Sequence, residues 1–201
     1  LLVKAGSGVL TEAISSSGGV PNDYAKNTVV AEFNDKESVK ALFDKYNDKI
    51  AAVIVEPVAA NMGVIPPKDG FLEFLREITK KNNALLIFDE VITGFRLAKG
   101  GACEYYGIEP DIVTIGKIVG GGMPLAAYGG KKEIMACISP LGDVYQAGTL
   151  SGNPIATAAG IATLKELFEH PEIYKNIDES TKTLAEGIEK IMNSDKKRVH
   201  I

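Results

Sequence analysis

Residues 84–90 read Ala-Leu-Leu-Ile-Phe-Asp-Glu, an uninterrupted apolar run that ends on two carboxylates. Similar apolar runs occupy residues 50–55 and 112–115, and each is soon followed by a charged residue. Short continuous apolar runs are typical of parallel strands, because helices cover both faces of a parallel sheet. Residues 71–78 lie between two of these runs and have helical spacing. The alternation predicts an α/β protein with three layers (α/β/α) and a mostly parallel sheet.

The same criteria locate the remaining elements. Asp35 precedes a helical pattern and is a residue type that caps helices. We predict strands over residues 28–33, 50–55, 84–88, 112–115 and 125–128, and helices over residues 38–47, 71–78, 103–106, 131–137, 154–169 and 173–192.

Composition excludes several classes of protein. The 201 residues include 22 Lys and Arg against 26 Asp and Glu, so the chain lacks the basic excess of a nucleic-acid-binding domain. The longest apolar runs are strand-sized, which predicts no membrane span. Cys103 and Cys137 are far apart, and no histidine lies near either at metal-ligand spacing, so we expect no metal site. Reduced thiols and the lack of a signal peptide indicate a cytoplasmic protein.

Three polar residues follow predicted strands at regular intervals. Asn61, Asp89 and Lys117 are separated by 28 residues each. One strand-helix-strand unit takes about 30 residues, so this interval places all three at one edge of the sheet. In open α/β sheets the ligand crevice lies at the carboxyl ends of the strands. These residues are therefore candidates for a binding site.

Each candidate also has a structural interpretation. Asp89 is either a helix cap or buried ion-pair partner, or the counter-charge of a cationic ligand atom. Lys117, between an apolar strand and three glycines, is either a solvated surface group or a desolvated nucleophile for a carbonyl. Asn61 is either a turn residue or an amide donor to a ligand. Thr149 and Ser151 precede a predicted helix, where either could donate to an anion; the structural alternative is an ordinary Ser or Asn cap with Pro in the first turn.

Longer stretches resemble one enzyme family. Residues 87–96 (Ile-Phe-Asp-Glu-Val-Ile-Thr-Gly-Phe-Arg) and 111–117 (Asp-Ile-Val-Thr-Ile-Gly-Lys) resemble the pyridoxal-phosphate signature of class III aminotransferases. Within that class, residues 56–63, 120–124 and 144–154 are similar to the glutamate-1-semialdehyde 2,1-aminomutases. The resemblance implies the large domain of a type I pyridoxal-phosphate-dependent transferase.

The resemblance also implies roles around the cofactor ring. Lys117 corresponds to the lysine that forms the internal aldimine, and Asp89 to the aspartate bonded to the pyridine nitrogen. Val91 corresponds to the residue packed on the ring face, and Asn61 to an amide near the ring 3-oxygen.

Two further roles follow from the same resemblance. Thr149 corresponds to a phosphate contact that the family donates across a dimer interface, which implies a homodimer. Ser7 corresponds to a substrate-side serine on a mobile gate, here the loop over residues 1–25.

The implied reaction is the intramolecular amino exchange that converts glutamate-1-semialdehyde to 5-aminolevulinate in tetrapyrrole synthesis. The cofactor would be pyridoxal 5'-phosphate, with pyridoxamine 5'-phosphate as the starting form. Two alternatives stay open at this point. One is another class III aminotransferase with a separate keto-acid acceptor, and the other is a non-catalytic binding module with the same fold.

The ends of the sequence suggest a longer polypeptide. The chain begins at Leu1 without Met and ends on Arg-Val-His-Ile, which has the pattern of a starting strand. We expect residues 1–193 to form part of the cofactor-binding large domain and residues 194–201 to begin a small domain. The family's phosphate-cup segment is absent from the chain, so we expect the 201-residue chain alone to be inactive.

Overall fold

The computed structural model describes residues 18–194. Within that range the chain forms four strands and seven α-helices, and strands alternate with helices in the middle of the chain. They are α1 (Asn22–Ala25), α2 (Lys36–Lys45), β1 (Ala52–Val55), α3 (Phe71–Lys81), β2 (Leu85–Glu90), α4 (Gly101–Tyr106), β3 (Ile112–Ile115), β4 (Ala127–Gly130), α5 (Lys132–Met135), α6 (Pro154–Glu169) and α7 (Glu172–Ser194).

The sheet has the strand order β1-β2-β3-β4. The first three strands are parallel, and β4 runs antiparallel to β3. Val55 pairs with Phe88, and Phe88 pairs with Val113, so the three parallel strands end close to one another along the sheet. The predicted α/β class and mostly parallel sheet are confirmed.

The hydrophobic core lies on one face of the sheet. Helix α3 places Phe71, Leu72 and Leu75 against Leu86 and Phe88 of β2, and both β2 residues have no exposed surface. Burying a large apolar side chain stabilises the fold by about 1.5–3 kcal/mol, so this contact is a main source of stability. The helical spacing that predicted α3 is the spacing that presents these side chains to the sheet.

The opposite face is less covered within the described residues. Ile54 of β1 is 47% exposed and Tyr128 of β4 is 42% exposed. The register puts Ile54 in line with Ile87 of β2, and Asp89 lies two residues further along the same face. The apolar strand pattern predicts cover on both faces, whereas the described helices complete only the α3 face. Asp89 therefore stands on the more open side.

Most predicted elements agree with the structure, and the differences have local causes. Asp35 caps α2 as predicted, since its side chain accepts hydrogen bonds from the Glu37 and Ser38 amides at 3.0 and 3.1 Å. The strand predicted over residues 28–33 is wrong. The Glu32 amide there donates to the Ser38 hydroxyl at 2.9 Å, so a side chain of α2 takes the place of a strand partner.

Strand β2 is longer than predicted. It continues through Asp89 and Glu90, which pair with Thr114 and Ile115 of β3. The carboxylates that end the apolar run are therefore ladder residues, and their side chains point to opposite faces of the sheet. Strand β4 begins at Ala127, two residues later than predicted. None of the helices within residues 18–194 has the length and apolar character needed to cross a bilayer.

Candidate active site

The loops that follow the three parallel strands emerge at one edge of the sheet. Asn61 lies in the loop after β1, Asp89 at the end of β2, and Lys117 two residues after β3. The structure thus brings these residues to the same edge, as their spacing predicted.

Asp89 is a half-buried carboxylate with few partners. Its Oδ1 accepts a hydrogen bond from the Val91 amide at 3.1 Å and a longer one from the Thr114 hydroxyl at 3.4 Å. No Lys, Arg or His among residues 18–194 forms an ion pair with it. Since an ionised carboxylate has about four acceptor positions, Asp89 keeps capacity for another donor. Neither the helix-cap nor the ion-pair interpretation of Asp89 applies to these residues.

Lys117 begins a 3-10 turn that spans Lys117–Gly120. Its φ of 48° lies in the left-handed region, which costs a non-glycine residue about 1–3 kcal/mol and is common at functional sites. The side chain is exposed, so the expectation of a desolvated lysine is not met within the described residues, which cover this sheet face less than the α3 face. Among residues 18–194, the Lys117 ammonium forms no ion pair and no hydrogen bond.

Val91 lies against the backbone that leads to Lys117. A Cβ placed on Gly116 would be 3.3 Å from Val91 Cγ1, so a side chain at position 116 would press on Val91. The small residue before the lysine therefore lets the loop after β2 approach the end of β3. Val91 therefore lies beside Gly116, the residue before Lys117, and its amide donates to Asp89.

Asn61 is carried by a compact loop after β1. The Glu56 carboxylate accepts a hydrogen bond from the Ala60 amide at 3.2 Å and closes the 3-10 turn Ala60–Met62. Ala59 and Ile65 exchange two backbone hydrogen bonds, of 3.0 and 3.1 Å, across the base of this loop. Asn61 is exposed at its tip, so it is a turn residue whose amide is also available to a ligand.

Helix α6 supports the turn after Lys117. A Cβ on Gly121 would lie 2.7 Å from the Ala159 carbonyl oxygen, and one on Gly160 would lie 2.5 Å from the Val119 carbonyl oxygen. The two glycines therefore permit a close backbone contact between α6 and the 3-10 turn. Part of the triple glycine after Lys117 thus serves helix packing.

Thr149 and Ser7 are not joined to these residues. Thr149 is exposed in the loop before α6, and within residues 18–194 no hydrogen bond links it to Asn61, Asp89 or Lys117. The cap of α6 is Asn153, which accepts from the Ile155 and Ala156 amides at 3.1 and 3.2 Å. Ser7 and most of the predicted gate lie outside the described residues.

Sequence reasoning missed two residues at this edge. Thr114 donates to Asp89, and Glu90 is a fully buried carboxylate with four hydrogen bonds. The contact between Thr114 and Asp89 depends on the register of β2 and β3, which cannot be read from the sequence. The apolar run before Glu90 was a usable signal, because a charged residue directly after a buried strand needs partners.

The residues at this edge fit pyridoxal phosphate. A protonated pyridine nitrogen needs an acceptor, and Asp89 has free acceptor positions without a competing cation among the described residues. A cofactor aldehyde needs an amine, and Lys117 has one that is free of ion pairs within the same range. Val91, whose amide donates to Asp89 and whose side chain lies beside Gly116, offers an apolar surface suited to contact with a ring.

Comparisons with known proteins identify the family of the chain. The family model of class-III aminotransferases matches residues 15–201. The chain is 63% identical over 191 residues to the glutamate-1-semialdehyde 2,1-aminomutase of Acetivibrio thermocellus, covering 95% of this chain and 45% of the relative. It is 61% identical to the enzyme of the same name from Alkaliphilus oremlandii, covering 96% and 46%. The chain thus spans under half the length of these curated relatives.

Solved structures give the same picture of the fold. An omega-transaminase from Sphaerobacter thermophilus superposes with a TM-score of 0.84 at 33% identity, covering 91% of this chain and 42% of that one. A transaminase with PLP bound gives a TM-score of 0.86 at 29% identity, covering 95% and 45%. On the sequence signature, the strand-end geometry and these matches, the chain belongs to the class-III aminotransferase family.

Proposed function

We propose that this chain is the cofactor-binding part of a pyridoxal-phosphate-dependent aminomutase, which converts glutamate-1-semialdehyde to 5-aminolevulinate by intramolecular amino transfer. The names of the most similar curated relatives support the substrate and the reaction. The observation that carries the proposal is the environment of Asp89. This carboxylate is half-buried at the carboxyl end of β2, and no Lys, Arg or His of the described residues forms an ion pair with it. Residues 1–193 would belong to the large domain, with a small domain starting at residue 194.

Bound pyridoxal phosphate supplies an electron sink for negative charge on the carbon next to the amino group. Asp89 would accept the N–H of the pyridine nitrogen and hold the proton there. Val91 would pack on the ring face, and the Asn61 amide would donate to the ring 3-oxygen. The Lys117 Nζ would hold the cofactor covalently and, once released, carry a proton between cofactor and substrate carbons. The cycle would start from the pyridoxamine form.

Thr149 would complete the site of a second copy. It would bind the phosphate of the cofactor held by the partner subunit of a homodimer. The surrounding loop supports an interface, because Leu141, Tyr145, Leu150 and Ile155 are all at least 67% exposed. Exposed apolar side chains gathered on one segment are typical of interaction surfaces. Ser7 would lie on the substrate side of the gate. Free thiols at Cys103 and Cys137 support a cytoplasmic location.

The test uses the full-length protein. With pyridoxal phosphate we expect visible absorbance that Lys117→Ala abolishes. Supplied with glutamate-1-semialdehyde and no keto acid, the wild type should form 5-aminolevulinate. A need for an added amino acceptor would instead assign an ordinary transaminase, as the names of the solved neighbours suggest. No lysine-dependent absorbance would indicate a non-catalytic module and would refute both enzyme functions.

A further inference from the structure

Glu90 lies next to Asp89 but has the opposite environment. Its side chain is 1% exposed and sits on the other face of the sheet. Oε2 accepts from the Thr93 hydroxyl at 3.0 Å and the Ala102 amide at 2.5 Å. Oε1 accepts from the Cys103 amide at 3.1 Å and the Cys103 thiol at 2.8 Å. We call Glu90, Thr93, Ala102 and Cys103 the Glu90 cluster.

The Glu90 cluster satisfies a buried carboxylate without a cation. Within residues 18–194 no Lys, Arg or His forms an ion pair with Glu90. A buried carboxylate is costly unless donors surround it, and here all four donors come from residues 93–103. The first residue of α4 is a glycine that leaves room for this carboxylate. Gly101 has a φ of +64°, and a Cβ there would lie only 2.9 Å from Glu90 Cδ.

These hydrogen bonds fold the segment after β2 back onto the strand end. The segment begins with Val91, whose amide donates to Asp89 Oδ1 at 3.1 Å and whose side chain lies against Gly116. Its Gly94 amide donates to the Glu90 carbonyl oxygen at 2.9 Å. The direction in which the segment leaves β2 therefore determines the position of the Val91 side chain. It also determines the hydrogen bond from the Val91 amide to Asp89.

We propose that Glu90 is a positioning residue for the cofactor site: by gathering the donors of residues 93–103, it fixes the segment that orients Asp89 and Val91. This inference rests on the proposed function, since it assumes that Asp89 and Val91 contact the cofactor. Glu90 itself faces away from the site and contacts neither cofactor nor substrate.

The decisive variant is Glu90→Gln in the full-length protein. Glutamine keeps the size of the side chain but replaces an acceptor oxygen by an NH₂ group, which would face the amide donors of α4. The matched control is Asp111→Asn, because Asp111 is a second buried carboxylate that braces β2, at its other end, through the Leu86 amide. Three quantities are measured: the Kd of pyridoxal phosphate, the pH titration of the lysine-dependent absorbance, and the Tm.

For Glu90→Gln we expect cofactor affinity to fall by about 10-fold or more, the size of the loss seen when a residue that orients a metal ligand is removed. The midpoint of the pH titration should shift, because Asp89 would no longer hold the pyridine proton as firmly. For Asp111→Asn we expect less than about a 2-fold change in affinity and an unshifted titration, with a comparable or larger loss in Tm.

A second pair of variants covers the case in which Glu90→Gln does not fold. Thr93→Val removes one donor at constant shape, and Thr93→Ser restores the hydroxyl. Thr93→Val should weaken cofactor binding and shift the titration in the same direction but less, and Thr93→Ser should return both toward the wild type. Both measurements are made at a temperature where the variants are folded.

The reactivity of the Cys103 thiol indicates whether the hydrogen bonds of the Glu90 cluster are intact. Burial, the hydrogen bond to Glu90 and the charge of Glu90 raise the pKa of the Cys103 thiol far above its ordinary range. Glu90→Gln removes the charge and leaves one acceptor oxygen for the four donors, so alkylation of Cys103 should become faster than in the wild type. The exposed Cys137 is replaced by Ser in all proteins of this comparison.

Two results would overturn the inference. One is an equal loss of cofactor affinity in Glu90→Gln and Asp111→Asn. The other is a lower Tm in Glu90→Gln with unchanged Kd and pH titration, which would give Glu90 a role in stability only. In either case the wild type still binds the cofactor and the proposed function stands. If the wild type shows no lysine-dependent absorbance, both proposals fail.

Discussion

Asp111 and Asp89 are carboxylates at opposite edges of the same sheet, and they are used in opposite ways. Asp111 is 5% exposed and has two cations, with Arg76 Nη1 at 2.9 Å and Lys131 Nζ at 2.5 Å. It also accepts the Leu86 amide of β2 at 2.7 Å. Asp89 is half-buried, has one good hydrogen bond and one long one, and has no cation within residues 18–194.

We interpret this difference as that between a structural carboxylate and the proposed cofactor ligand. At the other edge, Asp111 forms ion pairs with Arg76 and Lys131 and accepts the Leu86 amide. Its charge is therefore neutralised within the fold, and it has little capacity for a ligand. Within the described residues Asp89 accepts only two hydrogen bonds, both at Oδ1, so acceptor positions and its negative charge remain available to a ligand cation. The proposed site thus lies at the carboxyl ends of the strands, where open α/β sheets generally bind their ligands.

The largest expected effect comes from Asp89→Asn in the full-length protein. It should lower the rate of 5-aminolevulinate formation by about 10²–10³-fold, the usual loss when one charge-stabilising group is removed from a site. The free energy of unfolding should change by less than about 1 kcal/mol, because Asp89 has no ion pair in the described fold. Kinetics and urea denaturation measure the two effects. A large loss of stability with little loss of rate would contradict the comparison.

Asp111→Asn should show the reverse pattern. It leaves two cations without their partner, but Arg76 and Lys131 are part-exposed and water can solvate them again. We therefore expect a loss of about 2 kcal/mol, less than the roughly 3–5 kcal/mol of a fully buried pair. The cofactor Kd should stay within about 2-fold of the wild type. Arg76→Met is a useful control, because it removes one cation and keeps the apolar stem.

The stabilisation from Asp111 should depend on pH. Burial alone would raise the pKa of Asp111, but hydrogen bonds from Lys131, the Leu86 amide and Arg76, with the charge of Arg76, lower it below 3.8. A carboxyl whose folded pKa is depressed stabilises the fold above its unfolded pKa and loses that contribution as the pH falls through the folded pKa. The stability difference between wild type and Asp111→Asn should be constant above about pH 5 and shrink below pH 4.

Urea titrations at a series of pH values measure that difference. An equal difference at pH 3 and pH 7 would mean that the ion pairs of Asp111 contribute nothing.

The smallest expected effect is that of Thr114→Val. The Thr114 hydroxyl lies 3.4 Å from Asp89 Oδ1, which is a weak hydrogen bond. Its loss should weaken cofactor binding by only about 2- to 5-fold, and Thr114→Ser should restore it. Isothermal titration with pyridoxal phosphate measures the change. If Thr114→Val weakened cofactor binding as much as Asp89→Asn does in the same titration, Thr114 rather than the Val91 amide would be the residue that orients the Asp89 carboxylate.

The sequence predicted most elements because their signals are local. Helices α3 and α6 follow from apolar spacing and from residues that start a helix, and the structure has them at nearly the predicted positions. The strand predicted over residues 28–33 failed because a strand exists only when another strand pairs with it, and here Ser38 takes the Glu32 amide instead. β-rich composition alone does not reveal that competition.

Sequence alone also determined the edge of the sheet at which Asn61, Asp89 and Lys117 lie. Their regular spacing is that of a strand-helix-strand unit, and parallel strands bring successive carboxyl ends together. Only the tertiary structure decided how each carboxylate is used. Asp89, Glu90 and Asp111 are the same kind of group in the sequence, and their partners come from register and packing across the chain. The energy of a charge depends on its neighbours in space, and those are set by the fold.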